Sequence, residues 1–131
     1  MLYGTTPLGG IYGTCASGGN GTIFRMSPTG VEKILHRFDC SDGAHPSAAP
    51  IYLNGTLYGT AGVGGKNFTG TAYSMTTGGV LKVLYNFPDE INGKYPGSLM
   101  SSKGAIYGTT HAGGIGCSAG RGCGVVFSLT P

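Results

Sequence analysis

The feature that most constrains this chain is a tandem repeat of about fifty residues. Tyr-Gly-Thr stands at Tyr3, Tyr12, Tyr58 and Tyr107, and three of the four fall in a longer shared frame. Leu2-Tyr-Gly-Thr-Thr-Pro-Leu-Gly-Gly10 matches Leu57-Tyr-Gly-Thr-Ala-Gly-Val-Gly-Gly65 and Ile106-Tyr-Gly-Thr-Thr-His-Ala-Gly-Gly114. A glycine-rich loop of variable length follows each, then a second strand: Thr22-Ile-Phe-Arg-Met-Ser27, Thr71-Ala-Tyr-Ser-Met-Thr76 or Val125-Val-Phe-Ser-Leu-Thr130. This pair of strands is hairpin A. The Tyr12 copy has no second frame after it and reads as chance or a loop duplication.

Between the A hairpins lies a second unit. Val31-Glu-Lys-Ile-Leu-His-Arg-Phe38 matches Val80-Leu-Lys-Val-Leu-Tyr-Asn-Phe87; each runs through an acidic turn and a proline (Pro46 or Pro96) to a short strand. This unit reads as hairpin B. The frames are repeat 1 over 2–56, repeat 2 over 57–105 and a partial repeat 3 over 106–131, all within one array spanning 1–131. Alternation supports strands throughout and sets Phe24, Met26, Ile34, Phe38, Tyr73, Met75, Val83, Phe87, Phe127 and Leu129 in the buried core. Four strands per period point to an all-β array of propeller-like blades, with a β-solenoid as the alternative. About ten strands, in the order A-B-A-B-A, make two four-stranded blades and one half. A chain so built is expected to leave strand edges open at both ends and to self-associate, more easily by two-fold pairing of terminal hairpins than head to tail.

The composition fits. Glycine occurs 27 times, eight basic residues face five acidic ones, and the net charge is +3. The basic residues are dispersed, so no nucleic-acid footprint is expected. No apolar run reaches membrane-spanning length, and no signal region precedes the first frame. Either the protein is not exported by such a signal or the signal has been removed, and the second is expected.

The combined frame, from Leu-Tyr-Gly-Thr-Thr through Gly-Thr-Ile-Phe-Arg-Met-Ser-Pro-x-Gly to Leu…Phe…Asp-Gly…Pro, resembles the Gloeobacter/Verrucomicrobia tandem repeat over essentially the whole chain. That resemblance implies a secreted or surface-anchored bacterial protein with no assigned activity and no catalytic residues to carry over. Arrays of this family are usually longer, so the chain looks like a fragment or a minimal relative.

Four cysteines allow three pairings. The expected one is Cys117–Cys123 within one loop and Cys15–Cys40 between the first loop and the first acidic turn, which implies an oxidising compartment. A zinc site with His36 or His111 is the weaker alternative, since no Cys-x-x-Cys pair exists. The turns at Asp39, Asp42 and at Asp89, Asn92 could form shallow calcium loops, but Asp-Gly and Asn-Gly are turn formers in their own right, and no cofactor is expected. Asn20, Asn54 and Asn67 begin Asn-x-Thr sequons, which matter only in a eukaryotic secretory route. Nothing resembles a nucleophile motif, and an enzyme is not expected. Two functions compete. One is an extracellular structural or assembly element, such as a surface fibre, stalk or scaffold. The other is a lectin-like module in which Tyr3, Tyr58 and Tyr107 form shallow platforms for a glycan or other polymer.

Overall fold

The computed structural model describes residues 1–88, 93–116 and 122–131. Among them are ten strands and no helix: β1 (Leu2–Thr6), β2 (Thr22–Met26), β3 (Glu32–Arg37), β4 (Ile51–Leu53), β5 (Thr56–Ala61), β6 (Thr71–Thr76), β7 (Leu81–Asn86), β8 (Lys94–Ser102), β9 (Ala105–Ala112) and β10 (Val126–Leu129). They form three antiparallel sheets, ordered β1-β2-β3, β4-β5-β6-β7 and β10-β9-β8.

The frame and strand count follow the sequence pattern, but the sheets are cut one strand out of phase with it. Hairpin A is present three times as β1–β2, β5–β6 and β9–β10. Hairpin B is not a hairpin. β3 pairs with β2 and β7 with β6, while β4 and β8 each open the next sheet. The distribution is therefore three, four and three strands rather than four, four and two. Turn chemistry sets the cut. Asn54-Gly55 between β4 and β5 and Lys103-Gly104 between β8 and β9 all take positive φ, the two-residue geometry that closes a tight hairpin. The segment after β3 instead carries Phe38 away from its own sheet.

The glycine of Tyr-Gly-Thr has a steric cause. Gly4 lies opposite Phe24, Gly59 opposite Tyr73 and Gly108 opposite Phe127. In each pair the aromatic ring lies across the glycine, and a Cβ there would meet the ring at less than contact distance. The glycine thus lets the aromatic lie flat on its neighbour strand.

Alternation gives every sheet two faces. Call front the face bearing the aliphatic residue before Tyr-Gly-Thr and the aromatic of the next strand, and back the face bearing the tyrosine. The back of the first sheet (Tyr3, Ile23, Leu35) packs with Phe38 on the front of the second (Leu57, Ala61, Tyr73, Met75). The back of the second (Tyr58, Ile51, Leu53, Leu84) packs on the front of the third (Ile106, Phe127, Leu129). Of the ten expected core residues, Phe38, Tyr73, Met75 and Phe87 are fully buried; Phe24, Met26, Val83, Phe127 and Leu129 are half-buried. Ile34 is exposed, because it lies on the outermost strand and points to the open front of the first sheet. Ile23, Leu57 and Ile106, absent from the expected core, are fully buried, because each lies on a face that packs against the neighbouring sheet.

Candidate functional site

All the long connections gather at one end of the sheets. The loop 7–21 bonds the segment 38–50 through Phe38 N–H to Gly21 C=O (3.1 Å) and His45 N–H to Asn20 C=O (2.8 Å). That segment bonds the loop 62–70 through Ala44 and Val63. The next copy repeats the pattern: Phe87 N–H donates to Gly70 C=O (3.0 Å) and Tyr95 N–H to Thr69 C=O (2.8 Å). Cys15, Cys40, Asp39, Asp42 and His45 lie on these connections.

Cys15 and Cys40 are joined across 25 residues with Cα atoms 5.4 Å apart, tying the first loop to the turn after Phe38. Cys123 is also disulfide-bonded; its expected partner Cys117 lies outside the described residues, as do Asp89 and Asn92. The remaining acidic turn is self-satisfying. Asp39 N–H donates to Asp42 Oδ1 (3.0 Å), Asp42 N–H to Asp39 Oδ1 (3.2 Å), and Ser41 Oγ to Asp39 Oδ1 (2.6 Å). The Ser41 hydroxyl, opposed by slight burial and aided by the Asp42 N–H, holds the Asp39 carboxyl below its ordinary value. Asp42 Oδ2 meets His36 Nε2 at 2.6 Å. These carboxylate oxygens already serve as caps, and among the described residues no group of three His, Cys, Asp or Glu is placed to hold a metal.

The three tyrosines stand at the same place on successive sheets but in different surroundings. Tyr58 is only 8% exposed, sealed under the third sheet. Tyr107 is 41% exposed on the open back of the third sheet, and Tyr3 stacks on Tyr52 with ring centroids 6.4 Å apart. They do not form three equivalent platforms. The sequons differ too. Asn20 is fully buried, its amide donating to Thr14 Oγ1 and accepting from Cys15 N–H. Asn54 forms the β4–β5 turn, and Asn67, though exposed, donates to Phe87 C=O.

Several working residues escaped sequence reasoning. The threonine of Tyr-Gly-Thr reaches out of its sheet: Thr5 Oγ1 donates to Ala48 C=O (3.2 Å), and Thr60 Oγ1 to Gly97 C=O on β8 of the third sheet. His36 and Tyr85 play one part, each meeting its following phenylalanine edge-on, His36–Phe38 at 5.1 Å and Tyr85–Phe87 at 5.0 Å. A cleft of about 250 Å³ between the loops is lined by His45, Tyr95 and His111. His45 (φ 53°) and Tyr95 (φ 58°) sit there at matching points of the repeat, just before Pro46 and Pro96. The signal was available in the shared Gly-x-x-Pro spacing of 43–46 and 93–96.

No helix among the described residues is long and apolar enough to cross a membrane. A search of curated proteins and one of solved structures each found no match. The Gloeobacter/Verrucomicrobia repeat family matches residues 1–131. The chain belongs to that family.

Proposed function

We propose that this member of the repeat family is an extracellular structural element, a scaffold or stalk segment made by stacking propeller-like sheets, and not an enzyme. The observation that carries the reading is that the recurring side chains of the frame serve sheet-to-sheet joints. Phe38 crosses to Tyr73 and Phe87 to Phe127; Thr5 and Thr60 reach the segment leading into, or the first strand of, the next sheet. A recognition module is expected to keep its recurring aromatics open to a ligand, whereas Tyr58 is core. The Cys15–Cys40 disulfide favours an oxidising compartment.

The test is fractionation of source cells with thiols alkylated before lysis, followed by peptide mapping without reduction and electron microscopy of the extracellular material. The expected result is surface or extracellular protein with Cys15 and Cys40 joined, in regular particles or fibres. Protein confined to the cytosol with both thiols alkylated would overturn the reading.

A further inference from the structure

We propose that two copies of this chain stack head to tail, the open back of the third sheet of one receiving the open front of the first sheet of the other. The inference rests on the scaffold reading and names its joint. Both faces are uncovered within the described residues. The front of the first sheet presents Leu2, 61% exposed, with Ile34 exposed and Phe24 and Met26 half-buried. The back of the third presents Val126 (77% exposed), Met100 and Tyr107 around a cavity of about 210 Å³.

What covers such faces is visible twice inside the chain. Leu57, the counterpart of Leu2, is fully buried where the second sheet's front meets the first sheet's back; Ile106 is fully buried at the next joint. Tyr58, the counterpart of Tyr107, goes under in the same way, as does Ala72, the counterpart of Val126. A front therefore fits a back, and two fronts or two backs have no precedent in the molecule. The side chains named on the two faces are uncharged; Glu32, opposite Met26 on the outermost strand, is a charged neighbour that the joint has to leave in water. A heterologous contact of this kind propagates into a ring or a fibre rather than closing at two copies. The contact between copies forms by mass action and depends on concentration.

Sedimentation equilibrium on the whole chain tests this with two variants, Leu2→Lys on the front and Val126→Lys on the back. Both positions are exposed, and circular dichroism with thermal melting confirms that each variant folds. Wild type is expected to gain mass with concentration, each variant alone to stay monomeric, and an equimolar mixture to form 1:1 dimers and nothing larger. In that mixture only one intact front faces one intact back. A wild type that stays monomeric, a variant that assembles like wild type, or a mixture of folded variants that stays monomeric overturns the proposal. Loss on Leu2→Lys alone signals front-to-front pairing and overturns it as well. None of these outcomes bears on where the protein resides or whether Cys15 and Cys40 are joined, so the scaffold reading stands or falls by its own test.

Discussion

The Phe38 ring, which follows the last strand of the first sheet, meets the Tyr73 ring on the second sheet edge-on at 5.6 Å and 61°. One frame later Phe87 meets Phe127 at 5.1 Å and 67°. Phe38 and Phe87 are at most 1% exposed, so each is a bolt through a joint rather than a lid on one. Truncating either to Ala should cost about 3–5 kcal/mol. Ile34→Ala, at an exposed site that alternation alone assigns to the core, should cost below about 1 kcal/mol. Urea denaturation of the three variants checks this, and near-equal losses would refute the face assignment.

Gly59 should tolerate no side chain, because the Tyr73 ring occupies the place of its Cβ. Gly59→Ala is expected to lose about 1–3 kcal/mol through forced repacking. A Cβ at Gly97 would sit at ordinary contact distance, 3.8 Å, from Thr109 C=O, and its φ is not positive. Gly97→Ala should be close to neutral, and a thermal melt of both variants separates steric from general effects.

The Tyr73 hydroxyl is buried with no hydrogen-bond partner among the described residues, where the sister frames hold Phe24 and Phe127. Tyr73→Phe is therefore expected to leave stability unchanged or raise it by up to about 1–3 kcal/mol. Burial also pushes the phenol above its ordinary value of 10.0, so the folded state keeps the proton that the unfolded chain releases. The linked stability is complete below pH 10 and is lost as pH rises beyond it. Wild type should weaken in that alkaline range more than Tyr73→Phe, as melts across pH 9 to 11 would show.

Much of this was readable from the chain, for identifiable reasons. The period, the all-β class and the Cys15–Cys40 bond followed from recurrence and loop equivalence. The sheet boundary did not, because β3 and β4 are neighbours in sequence and look like one hairpin. The signal that corrects them is Asn54-Gly55, a strong hairpin dipeptide that also opens a sequon. Period-two alternation marked one face of each strand, and the other buried face, with Ile23 and Tyr58, appears only once sheets are stacked. His36 enters the sequence reading only as a zinc alternative, yet it braces Phe38 as Tyr85 braces Phe87. A partner supplied by another part of the fold leaves no local pattern.

The Cys15–Cys40 bond closes a span of 25 residues, a loop size for which removing a disulfide costs about 3 kcal/mol. Cys15→Ser/Cys40→Ser should lower the melting temperature, with hydrogen exchange quickening first in the loop 7–21. An unchanged melt would show that the loop hydrogen bonds alone hold this end.

Amide hydrogen exchange across the folded chain tests the stacked-sheet account most directly. The second sheet is covered on both faces and the outer two on one, so the slowest amides should be those of β5 and β6, with β1 and β10 the fastest of the strands. Uniform protection across the three sheets, or slowest exchange in β1 or β10, would contradict it.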